Sequence, residues 1–142
     1  METMTISIKN DFSEYPGLRH CSISDKSGEE FYHQILNREF ANVFESGGKL
    51  TVDLDDTSGF ASSFLDEAFG NLVFDFTLGE VQKRIEIISE DEPVWKSMLQ
   101  DKTFPQWEER RRKNDRPSVT QIHPSWFRLV DGKLVSRVWE VC

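Results

Sequence analysis

Between Leu50 and Ile88 the apolar residues change period twice, and this restricts the fold more than any other feature of the chain. Leu50-Thr51-Val52-Asp53-Leu54 alternates at period two, as a half-buried strand does. Phe64, Leu65, Ala68, Phe69, Leu72, Val73 and Phe76 then recur at spacings of one and four, the stripe of a helix buried along a wide face. Ile85-Glu86-Ile87-Ile88 returns to a strand pattern. Upstream, Thr5 to Lys9 reads as an opening strand. Ser27-Gly28-Glu29-Glu30 has capping-box spacing ahead of a helix carrying Phe31, Ile35, Leu36, Phe40, Val43 and Phe44 and stopped by Gly47-Gly48. Thr77-Leu78-Gly79-Glu80 is a second such box, and Pro93 opens a helix through Val94, Trp95, Met98 and Leu99. Strands alternating with helices across short connections predict an α/β layer with at least two parallel neighbours. Each helix is expected to be apolar on one face only.

Eleven Phe and four Trp among 142 residues supply the apolar area for a core, although mean hydropathy is −0.52. The net charge of −8 is uneven: residues 1–102 hold nine basic and 20 acidic residues, a balance of −11, against eight and five, or +3, in 103–142. We therefore divide the chain into an acidic domain, 1–102, and a basic extension, 103–142. In the extension Pro105 to Lys113 reads as a short helix, and Ser125–Val130 and Lys133–Val141 flank Asp131-Gly132, a strong hairpin signal. That hairpin is apolar on both faces, so it should pack on the domain or on a second copy.

The acidic core is a poor nucleic-acid binder. No apolar run approaches the roughly 18 residues of a membrane span, and no leader pattern opens the chain, so a cytoplasmic location is expected. Cys21 and Cys142 should be reduced thiols. The expectation is no catalytic residue, no metal and no cofactor: there is no nucleophile elbow, and His20, His33 and His123 lie far apart without a thiol partner. Arg110, Arg111, Arg112, Lys113 and Arg116 form a basic patch that reads first as a solvated helix face and second as a contact for nucleic acid or an acidic protein.

Pro16-Gly17-Leu18-Arg19, Ser27 to Phe31, Leu50 to Asp55 and above all Gly59 to Gly70 closely resemble the bacterial STAS-like domain family of unknown function, over about residues 4 to 100. The resemblance implies a STAS-like mixed sheet with helices packed mainly on one side, followed here by a C-terminal helix and β-hairpin extension. It also implies a non-enzymatic regulatory module that binds a partner protein, such as an ATPase or kinase, and is switched by phosphorylation of a serine at a helix start. Ser62 is the matching serine and Ser63 its neighbour, and either would also serve as a helix cap. Ala61 stands where the family usually has an acidic residue. The contact surface so implied comprises Asp55, Asp56, Ser58, Phe60, Asp66 and Glu67. The alternative is a homo-oligomeric accessory protein of a bacterial defence or mobile-element system, joined through Trp126 to Val141.

Overall fold

A computed structural model describes residues 3–142. Strand β1 (Thr3–Ser7) ends two residues earlier than the alternation predicts, because the Ser7 hydroxyl accepts from the Asn10 amide and starts the helical turn Ile8–Asp11. Asp11 returns a bond to the Ser7 amide at 2.8 Å, a local side-chain cap that period-two counting does not register. Strands β2 (Lys49–Asp53) and β3 (Ile85–Ile88) complete a sheet of order β1-β2-β3. Both pairings are parallel, Thr3 opposite Lys49 and Leu50 opposite Ile85. The expected mixed sheet is thus corrected to a parallel one. Each connection between these strands carries the chain back through a helix, so the strands enter in the same direction.

Helix α1 spans 28–46 as Gly28–Phe31, a wider turn Tyr32–Leu36, and Asn37–Ser46. Ser27 caps it by accepting from the Glu30 amide at 3.1 Å, and Gly47 stops it at φ 72°, as the sequence predicts. In the wider turn the Asn37 amide bonds the Tyr32 carbonyl, five residues back. Helix α2 (Ser62–Phe76) departs from expectation. It is buried nearly all round, and its polar residues Glu67, Asn71 and Asp75 form an i, i+4, i+8 stripe that is itself inside the protein. Two close approaches seat it: a Cβ on Gly28 of α1 would meet the Phe64 carbonyl, and one on Gly70 would overlap the Trp107 indole. Helix α3 (Leu78–Arg84) follows, capped by Thr77.

The proposed division near Thr103 does not coincide with a structural break. Helix α4 runs without interruption over 94–112, as Val94–Met98, a wide turn Leu99–Thr103, and Phe104–Arg112. Thr103, Phe104 and Trp107 are buried, and Phe104 and Trp107 join the same core as Ile6, Leu50 and Val52. Pro105 has no N–H to offer Asp101, and the turn preceding it is wound to five-residue bonds, from the Phe104 amide to the Leu99 carbonyl. The predicted separate helix at Pro105 is the second half of this one.

The hairpin forms in the predicted register. β4 (Trp126–Val130) pairs with β5 (Lys133–Arg137), and Val130 faces Lys133. Asp131 and Gly132 have φ of 52° and 79°, the pair of positive values a two-residue turn of this kind requires. β5 ends at Arg137, short of the predicted Val141, and the Trp139 indole donates to the Trp126 carbonyl instead. The hairpin packs on its own domain. Trp126 is buried, the Asn37 side-chain amide bonds both the N–H and the carbonyl of Phe127 at 2.9 Å, and Arg128 reaches Asp75 at 2.7 Å.

Candidate functional site

Parallel sheets present their binding loops at the carboxyl ends of the strands, and Asp55, Asp56 and Ser58 of the residues singled out in the sequence follow the carboxyl end of β2. Asp53, the last residue of β2, accepts from the Asp55 amide at 2.9 Å. Asp55 accepts from the Asp91 amide and Asp91 from the Asp56 amide, each at 2.9 Å, so the loops after β2 and β3 are laced together. The Ser58 amide donates to the Glu14 carbonyl at 2.8 Å, which ties the 54–61 loop to the segment after β1. Tyr15, next in the chain to Glu14 of this junction, is 70% exposed, and Leu18 on the same segment is 46% exposed. Phe60 is half-buried on the ring of Phe64, 5.7 Å between centroids.

Ser62 and Ser63 open α2, but neither caps it. The capping position is Ala61, in extended conformation and with no side-chain bond to the helix. Ser62 is exposed and Ser63 half-buried. The expectation of a serine cap fails because the helix begins one residue earlier than a Ser62 cap allows and two earlier than a Ser63 cap does, leaving both hydroxyls within the first turn.

Asp66 and Glu67 do not extend this surface. Asp66 accepts from Arg19 at 2.8 Å and from the Thr103 hydroxyl at 3.0 Å. Glu67 is buried, with Arg19 at 3.1 Å, the Asn71 amide at 2.9 Å and His20 at 3.5 Å around it. Their charges are spent on holding the 12–27 segment against α2, and the outward-facing set narrows to Asp55, Asp56, Ser58, Phe60, Ser62 and Ser63.

The basic patch is likewise matched within the molecule. Arg111 grips Glu108 with two bonds, 2.7 and 2.8 Å, and Arg112 adds a third at 3.2 Å. These hold the Glu108 carboxyl down at about 2. Arg110 lies on the Trp107 ring and donates to the Arg116 carbonyl, Lys113 pairs with Glu109, and Arg116 pairs with Glu140. A cation already paired with a carboxylate offers less to a phosphate backbone than a free one.

Two buried clusters escape a reading by sequence spacing. Tyr32, Asn37, Asp75 and Arg128 join α1, α2 and β4, and burial pushes the Asp75 carboxyl up to about 6 despite the guanidinium beside it. The second cluster centres on Glu29, whose sequence context marks it only as part of a capping box. Its carboxylate accepts from the Thr120 amide at 2.9 Å, the Thr120 hydroxyl at 2.6 Å and the Cys21 amide at 3.1 Å, with His123 Nε2 at 2.6 Å. These bonds hold it well below the usual carboxylate range although it is buried. His33 stacks on His123 at 3.8 Å between ring centroids, and burial together with that neighbour holds the His33 imidazole down at about 3. Glu29 and His123 are 94 residues apart, so only the fold brings them together.

Alternating parallel strands and helices, with an exposed serine opening the helix that follows the middle strand, define a small α/β domain. Residues 27–95 match the family model described as a STAS-like domain of unknown function (DUF4325). No curated protein and no solved structure matches the chain. Among the described residues no helix is long and apolar enough to cross a membrane.

Proposed function

We propose that the protein is a non-enzymatic regulatory module of the bacterial cytoplasm that binds a partner protein, an ATPase or kinase of the type STAS domains answer to, through the 55–63 loop. The observation that carries this reading is Ser62: exposed, in the first turn of a 15-residue helix, and free of any capping duty. A phosphate there would add about −1.5 to −2 charge at a helix N-terminus, where the dipole and first-turn amides favour an anion. The same phosphate would face a partner seated on Phe60 and Tyr15, so its charge releases or recruits that partner. Exposed Tyr15 and half-buried Phe60, with acidic Asp55 and Asp56 on the same loops, suit an apolar contact rimmed by basic groups. Supporting the non-enzymatic part, the thiol nearest a histidine, Cys21, is pushed up to about 11 by burial and is a weak nucleophile.

The test is capture of partner proteins from the native host on tagged full-length chains carrying wild-type sequence, Ser62→Ala, Ser62→Glu or Ser63→Glu, with mass spectrometry of the bait for phosphate. The same protein should be captured by wild type and Ser62→Ala and change by about tenfold with Ser62→Glu, the size of a 1.4 kcal/mol effect. Equal capture by all four baits would contradict the switch.

A further inference from the structure

Cys21 Sγ, a Glu29 carboxylate oxygen and a ring nitrogen of His123 all lie within 4.8 Å of one another. They come from three separate parts of the chain: the loop before α1, the first turn of α1 and the segment between α4 and β4. We propose that these three side chains form a binding site for a divalent cation of the zinc class, which clips the 117–125 segment to the α/β core. Neither the family match nor the reading of the 55–63 loop bears on this site.

The donor set is sulfur, nitrogen and oxygen, which selects a borderline-soft cation over magnesium or calcium. Tetrahedral zinc with bonds of about 2.0–2.3 Å holds its donors about 3.3–3.6 Å apart. Closing a 4.8 Å triangle to that size takes about an ångström of side-chain movement, and the 2.6 Å contact between Glu29 and His123 opens by less than that. The outer bonds are already in place. Glu29 Oε1 accepts from the Thr120 hydroxyl and the Cys21 amide, Oε2 accepts from the Thr120 amide and faces His123 with its second lone pair toward the cation position, and the Ser27 hydroxyl lies 3.3 Å from Cys21 Sγ, where it donates to a thiolate. The stacked His33 ring holds the His123 imidazole in place, 3.8 Å between centroids. A cavity of about 250 Å³ bordered by Glu30, His33, Gln121 and His123 lies against the His123 side of the cluster.

Binding releases one proton. Cys21 gives its thiol proton to solvent, and the hydrogen shared between His123 Nε2 and Glu29 in the unbound site moves to Nδ1, so that Nε2 can ligate. Thiolate and carboxylate then balance the two charges of the cation.

The test uses the full chain carrying Cys142→Ser, so that Cys21 is its only thiol. Titration with Co²⁺ should give one equivalent bound and a near-ultraviolet thiolate-to-cobalt band, and Zn²⁺ should displace it. Affinity should rise about tenfold per pH unit below the thiol pKa, as release of one proton requires. Cys21→Ser, which keeps the local geometry, should abolish the band and weaken Zn²⁺ binding by about 100-fold or more, and Thr120→Val should weaken it by about 10-fold. His123→Gln should match Cys21→Ser. If it does not fold, Cys21→Ser and Thr120→Val decide the matter. Absence of a stoichiometric band, or a band and affinity unchanged by Cys21→Ser, overturns the proposal.

Discussion

At Gly70 the requirement is for the absence of a side chain. An added Cβ would lie 2.1 Å from the Trp107 ring, and both the helix backbone of α2 and a buried indole resist moving. Gly70→Ala should therefore destabilise the protein by about 1–3 kcal/mol in urea unfolding, although alanine is the better helix former. His33 gives a pH signature. Its folded pKa is depressed to about 3 from an ordinary 6.5, so the unfolded chain takes up a proton first as pH falls. Stability from this group is present above pH 6.5 and is lost on descent toward pH 3. His33→Phe, which retains an aromatic face against His123, should flatten the dependence of unfolding free energy on pH across that window. An unchanged slope would show that His33 does not contribute it.

Elements with their own local signals were legible in the sequence. Ser27 and Gly47 bracket α1, Thr77 starts α3, and Asp131-Gly132 sets the hairpin register to the residue. Features created by packing were not. Nothing in the α2 stripe announces that Glu67 and Asp75 are buried, because their partners Arg19 and Arg128 come from distant segments. The Asp75–Arg128 pair also fixes the hairpin, and Asp75→Ala leaves a largely buried guanidinium without its carboxylate. That substitution should cost about 3 kcal/mol by chemical denaturation, and fluorescence should show Trp126 more exposed to quencher. An undocked hairpin in the wild-type protein would instead give equal quenching in both.

At the level of the whole molecule, the charge boundary and the structural boundary differ. The chain does turn basic after residue 102, yet Phe104, Trp107 and Trp126 complete the core of the preceding part. A chain ending at Lys102 removes all three and exposes Gly70 and its neighbours on α2. Circular dichroism and hydrogen exchange should find it without a cooperative unfolding transition; a stable monomer with a sharp transition would restore the two-part reading. The candidate site was partly legible for the same reason as the elements: Asp55 to Ser63 is contiguous, so the loop and Ser62 could be named, whereas the cluster of Cys21, Glu29 and His123 is assembled only by the fold. Likewise the basic run was visible but its pairing with Glu108, Glu109 and Glu140 was not.

On the proposed reading the molecule presents the 55–63 loop and the start of α2 to a partner protein. Amide hydrogen exchange on the complex with the captured partner addresses it directly. We predict new protection at 14–18 and 55–65, with little change over 126–137. Protection confined to 126–137, and none over 55–65, would contradict the account and place the interface on the hairpin.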